Sequence, residues 1–160
     1  MKRIEAIKEI LNNVDEKDIV VTSAGRISRE TYYVKDRLRN FYVQGSMGAT
    51  VGIGIGLAIC NPERQVFVIV GDGDILINLD NLVVLKKLQK EGEIDNLQLY
   101  ILDNKQYQST GGQPTVSDVI DFRTLCWCKT IFVSDSEIDV PRIDIPHVEL
   151  KRRFVNALRE

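Results

Sequence analysis

Asp72 and Asn104 are the residues whose types and placement best suit metal chemistry. Each follows an apolar run that ends in a short polar turn: Gln65-Val66-Phe67-Val68-Ile69-Val70 before Gly71-Asp72-Gly73-Asp74, and Leu97-Gln98-Leu99-Tyr100-Ile101-Leu102 before Asp103-Asn104-Lys105-Gln106. A carboxylate and an amide oxygen together suit a hard cation such as Mg²⁺, which keeps room for phosphate oxygens and water. Gly71 and Gly73 let the backbone turn sharply and approach a ligand closely. A helix predicted from Ile75 points its free N–H groups at the same place, which suits an anion. The chemistry expected is a diphosphate held through a metal. The plainer alternatives are a helix cap for Asp72 and a turn asparagine for Asn104.

These residues require two strands and a helix to position them. Both runs have the length, β-branched content and flanking turns of buried strands. The spacing of Leu76, Leu79, Leu82, Val83, Leu85 and Leu88 predicts one helix over 75–90 between them. That makes a βαβ unit with parallel strands, whose carboxyl ends share the sheet edge where ligands bind in open α/β folds. Further strands are predicted at 18–22, 40–43 and 130–133. Helices are predicted at 1–13, 30–38, 116–125 and at the C-terminus through Leu150, Phe154 and Leu158. Residues 23–29 read as a loop at the active edge, and 142–145 as a place for an abbreviated last strand. Gly48, Gly52 and Gly56 share one helical face, which predicts close packing on the sheet or on another subunit. A dinucleotide fingerprint is the rival there, but Gly52-Ile53-Gly54-Ile55-Gly56-Leu57 lacks the third glycine.

The blocks resemble, in order over 1–133, the diphosphate-side domain of thiamine-diphosphate enzymes. Gly71-Asp72-Gly73, with Asn104 32 positions on, is similar to their metal and diphosphate motif. Gly45-Ser46-Met47-Gly48 is similar to the loop around the aminopyrimidine. Ser109-Thr110-Gly111-Gly112-Gln113-Pro114-Thr115 resembles sulfopyruvate and phosphonopyruvate decarboxylases. The resemblance implies a single-domain, three-layer, doubly wound α/β fold with a mostly parallel sheet and helices on both faces. It implies thiamine diphosphate and Mg²⁺ as cofactors, with Asp72, Asn104 and the Gln106 carbonyl on the metal. Gly45, Ser46, Met47, Gly71, Asp72, Gly73, Asp74, Ile75, Asn104, Gln106 and Tyr107 would contact the cofactor. Met47 would wedge beneath it; the plainer reading is a core methionine. Arg26, Arg29 and Lys105 are candidates for an anionic substrate tail, with ordinary surface charge as the alternative.

Asp74 departs from the family pattern, because a second carboxylate beside a diphosphate is repulsive unless it points away or caps the helix. No catalytic residue is expected in this chain. The glutamate that activates the pyrimidine would come from a pyrimidine-binding alpha-type partner, in a hetero-oligomer or a dimer of dimers. The function implied is a beta-type subunit of a 2-oxo-acid decarboxylase acting on a small anionic 2-oxo acid. The alternative is a non-catalytic or regulatory subunit that keeps the fold. A 2-oxo-acid:ferredoxin oxidoreductase subunit fits less well, since iron–sulfur cysteine motifs are missing.

At 160 residues the chain holds one domain with a sizeable core. A net charge of −2 argues against a general nucleic-acid binder. Its longest apolar-looking stretch, 47–60, carries four glycines and is too short to span a bilayer. With no leader pattern at the N-terminus, a cytoplasmic location is expected. Cys60, Cys126 and Cys128 lack framework spacing and read as reduced thiols. His147, the only histidine, is not expected to be catalytic.

Overall fold

A parallel five-stranded sheet runs through the middle of the molecule in the order β2-β1-β3-β4-β7. These strands are β1 (Ile19–Thr22), β2 (Asn40–Tyr42), β3 (Val66–Gly71), β4 (Leu97–Asp103) and β7 (Lys129–Phe132). The computed structural model describes residues 1–160. Parallel strands need crossovers, and helices α1 (Arg3–Leu11), α2 (Arg26–Lys35), α3 (Thr50–Cys60), α4 (Asp72–Ile77), α5 (Asp80–Glu91) and α6 (His147–Arg159) lie along the chain before, between and after them. A two-stranded antiparallel ribbon, β5 (Gln106–Tyr107) with β6 (Gln113–Pro114), stands outside the main sheet.

Alternation along the strands splits the core into two layers. Ile19, Val21, Val66, Val68, Val70, Leu97, Leu99 and Ile101 face α3, α5 and α6. Val20, Phe67, Ile69, Tyr100 and Leu102 face α1 and α2. Both faces of the central strands are therefore covered, as their nearly continuous apolar runs require.

Four predicted elements differ from the fold. The helix expected over 75–90 is two: α4 starts three residues earlier, at Asp72, and the chain breaks at Asn78 before α5. The break is held by side chains, because Asn78 and Asn81 Nδ2 each donate to the Gly48 carbonyl at 3.1 Å. Residues 26–29 are the first turn of α2 and not loop. Residues 116–125 contain only two short 3₁₀ turns, 117–119 and 122–124. No strand forms over 142–145. Helix α5 ends at Gly92, which sits at φ +70° and whose N–H bonds back to the Gln89 and Leu88 carbonyls.

The glycine stripe of α3 does not pack on the sheet. Gly54, on another face, does: a Cβ there would meet Val68 Cγ2 at 2.3 Å. Gly52 faces Asn81, and Gly56 has nothing within 4 Å of a Cβ.

Candidate functional site

The strand order reverses between β1 and β3, and a cavity of about 280 Å³ opens there at the carboxyl ends of the strands. Ser23, Ala24 and Gly25 line it from the end of β1, and Gly45 and Met47 from the loop after β2. Gly71, Gly73 and Asp74 contribute from the end of β3, Leu102 and Asn104 from the end of β4. The ribbon segment supplies Gln106, Tyr107, Gln108, Ser109 and Thr110.

Register brings the two key residues together. Gly71 pairs with Leu102, so Asp72 and Asn104 leave adjacent strands at the same height. The Asn104 N–H donates to Asp72 Oδ1 at 3.4 Å, and Thr115 Oγ1 donates to Asp72 Oδ2 at 2.5 Å. Asp72 is buried, and burial raises its pKa; the Thr115 hydroxyl acts the other way, while the Asp103 carboxylate adds to the rise. Asp103 is buried alongside, accepting from the Lys105 N–H at 2.9 Å and from Ser117 Oγ at 3.0 Å.

A buried carboxylate beside a second one suits a cation. The oxygen donors that the resemblance would assign to a metal are the Asp72 carboxylate, the Asn104 amide oxygen and the carbonyl of Gln106, carried at and just beyond the ends of β3 and β4. That is the hard-donor chemistry of Mg²⁺, which takes one or two carboxylates and leaves positions for phosphate oxygens. No group of three or more His, Cys, Asp or Glu side chains forms a self-sufficient metal site, and a cation shared with a diphosphate does not need one. Asn104 Oδ1 accepts the Gln106 N–H at 3.2 Å, across a turn in which Lys105 takes φ +59°. One lone pair of that oxygen remains for a metal.

Asp74 lines the cavity, but both of its carboxylate oxygens are engaged by donors of this chain. Its Oδ1 accepts the Gly48 N–H and its Oδ2 the Thr50 hydroxyl, both at 3.1 Å. Burial raises its pKa, and those two hydrogen bonds oppose the rise. The carboxylate ties α4 to the loop that carries Met47. Met47 itself is 44% exposed on the cavity wall, so the plainer reading of a core methionine fails. Gly73 is required by Tyr107, whose ring atoms would lie 2.7 Å from a Cβ at that position.

Other expected residues fall elsewhere. The Ile75 side chain is in the core, leaving only its backbone to a ligand. Ser46 lines a smaller cavity, of about 220 Å³, with His147 and Leu150. Of the three candidates for an anionic substrate, only Arg26 lines the main cavity. Its nearest acid is Asp139, at 3.9 Å and almost fully exposed. Arg29 is half-buried outside the cavity lining, and Lys105 lies over the Phe132 ring at 5.9 Å. The structure thus separates Arg26 from the other two.

Sequence reading missed a buried ion pair at the cavity's edge. Arg3 Nε and Nη2 donate to Glu30 at 3.1 and 2.5 Å, and both residues are almost fully buried. Arg3 and Glu30 lie on different helices, and neither carried a motif, so only the fold could pair them. Thr115 was visible as the end of a motif, but not as the donor that holds Asp72.

Comparisons with known proteins give the chain a family. Residues 23–125 match the family described as thiamine pyrophosphate enzyme, C-terminal TPP binding domain. The chain is 42% identical over 163 residues to the sulfopyruvate decarboxylase subunit beta of Methanocaldococcus jannaschii, covering 99% of this chain and 78% of that one. It is 37% identical to the protein of the same name from Methanothermobacter thermautotrophicus, covering 99% and 96%. A phosphonopyruvate decarboxylase of Streptomyces viridochromogenes is 37% identical over 119 residues, 74% of this chain and 29% of its own. A solved structure described as a thiamin diphosphate-dependent enzyme from Mycobacterium smegmatis superimposes with a TM-score of 0.59 over 100% of this chain and 30% of that one. At 14% identity that likeness shows the fold.

Proposed function

The chain belongs to the thiamine pyrophosphate enzymes as their C-terminal TPP-binding domain, and from that premise we propose that it is the beta-type subunit of a Mg²⁺-dependent sulfopyruvate decarboxylase-like enzyme. The observation that carries the reading is the Asp72–Asn104 contact at neighbouring strand ends, on the wall of the switch-point cavity.

In this reading Asp72, Asn104 and the Gln106 carbonyl hold Mg²⁺, and the metal holds the diphosphate. When bound, thiamine diphosphate supplies the electron sink for the pair released as CO₂ leaves a 2-oxo acid. The chain's own residues bind and orient. Gly71 and Gly73 let backbone approach the diphosphate, and Met47 presents an apolar surface to the cofactor from the cavity wall. Arg26 stands free enough to take the sulfonate or phosphonate tail, to which a guanidinium donates two parallel hydrogen bonds. Thr115 and Asp74 fix the metal carboxylate and the Met47 loop.

A pyrimidine-binding alpha-type partner completes the site and contributes the activating glutamate, in a hetero-oligomer or dimer of dimers. Two features support a partner at the cavity mouth. Met47 is exposed there, and Ile77, 54% exposed, packs beside Gly48. Subunits named beta among the relatives point the same way. A cytoplasmic location fits three free thiols, and no helix is long and apolar enough to cross a membrane.

The test is calorimetric titration with thiamine diphosphate and Mg²⁺, alone and with the partner, together with CO₂ release from sulfopyruvate, phosphonopyruvate and pyruvate. Release from an anionic 2-oxo acid only in the assembled pair is the expected result. Cofactor binding without turnover in every pairing would instead favour the non-catalytic subunit, and no cofactor binding at all would defeat both.

A further inference from the structure

Arg3 reaches beyond Glu30. Its Nη1 donates to Gln108 Oε1 at 2.5 Å, and its Nη2 also donates to Asp135 Oδ1 at 2.9 Å. The same Gln108 oxygen accepts from Asn104 Nδ2 at 3.4 Å. A chain of contacts therefore runs from a buried ion pair to the amide expected on the metal.

Each link has one allowed polarity. A guanidinium carries only donors, so Arg3 must meet the oxygen end of the Gln108 amide. That oxygen in turn can accept only from the nitrogen end of Asn104. With Nδ2 engaged, Asn104 presents Oδ1 on its other side, the end a cation requires. Glu30 grips Arg3 through two oxygens and so fixes the origin of the sequence of choices. Burial would raise the Asp135 carboxyl, yet hydrogen bonding such as that from the Arg3 guanidinium holds it below the ordinary range.

We propose that Arg3 and Gln108 are positioning residues that set the amide orientation of Asn104 for its cation, in a relay anchored on Glu30. The inference rests on the metal role proposed for Asn104. Partners behind first ligands typically change metal affinity about 10–100-fold when removed.

Gln108→Leu is the informative variant, because Gln108 is half-buried and its removal leaves the Arg3–Glu30 pair intact. Mn²⁺ binding is followed by the electron paramagnetic resonance of the free ion, with thiamine diphosphate present, for the full chain alone and assembled with the partner subunit. Thermal midpoints of the metal-free chain are measured in parallel. The expected result is roughly a tenfold or larger rise in the Mn²⁺ dissociation constant for Gln108→Leu, with a lower metal-free midpoint because Arg3 Nη1 loses its acceptor, and near wild-type affinity for Gln108→Glu, whose carboxylate still accepts from Arg3 and Asn104. An unchanged dissociation constant overturns the relay. So does an equal loss of affinity in Gln108→Glu, which keeps both acceptor contacts and would then mark a merely structural role. A wild-type chain that binds no Mn²⁺ in either form overturns the metal reading itself, a separate failure.

Discussion

Asp74 illustrates how a residue out of place by family pattern can be in place by physics. Its two carboxylate oxygens serve two buried donors, the Gly48 N–H and the Thr50 hydroxyl. Removing the acceptor leaves both unpaired, at about 1–3 kcal/mol for each buried group. Asp74→Ala is therefore expected to lower the thermal midpoint of the metal-free chain by several degrees, since about 1 kcal/mol corresponds to roughly 2–4 °C at this size. Asp74→Asn behaves differently. Its amide oxygen can accept from Gly48, its nitrogen can donate to Thr50, and no charge is buried, so its midpoint equals or exceeds that of wild type. Differential scanning calorimetry of the three proteins checks the order. If Asp74→Asn falls as far as Asp74→Ala, charge and not hydrogen bonding holds the Met47 loop. The sequence displayed the type of this residue but not its direction, because direction depends on a loop 26 positions away.

Elements were legible where one physical signal dominated. The runs at 66–70 and 97–102 are apolar but for Gln98, and they became β3 and β4 with a one-residue extension each. Where signals competed, tertiary contacts decided. Leucine spacing argued for one helix across 75–90, but the Asn78 and Asn81 bonds to Gly48 split it. The ribbon β5–β6 is two residues per strand, too short to leave a periodicity. The α3 glycines give the sharpest contrast between pattern and packing. Gly54→Ala puts a methyl 2.3 Å from Val68 Cγ2, and overpacking of this kind costs about 1–3 kcal/mol. Gly56→Ala meets nothing within 4 Å and gains about 0.5–1 kcal/mol from lower unfolded-state entropy and better helix propensity. Urea midpoints of the two variants should move in opposite directions, with the slope unchanged. Equal shifts would mean that α3 does not sit as closely on β3 as these distances require.

At the scale of the whole molecule, the cavity is a surface recess and not an enclosed chamber. Its walls come from the ends of four parallel strands and from the ribbon, with the exposed side chain of Met47 among them. Such a site can grip the metal and diphosphate end of a cofactor and leave the rest to another surface. Stabilisation by a ligand follows RT ln(1 + [L]/Kd), about 2.7 kcal/mol at a hundredfold excess over Kd. For a chain of this length that corresponds to roughly 5–10 °C in thermal midpoint. The expected pattern is a small shift when Mg²⁺ and thiamine diphosphate are added to the chain alone. Inorganic diphosphate with Mg²⁺ should give a shift of similar size, because only the diphosphate end is gripped. With the partner present, thiamine diphosphate should approach the full shift and inorganic diphosphate should not. The comparison isolates what each surface recognises. A full shift from thiamine diphosphate on the chain alone would mean that the recess binds the whole cofactor and that no second subunit is needed to hold it.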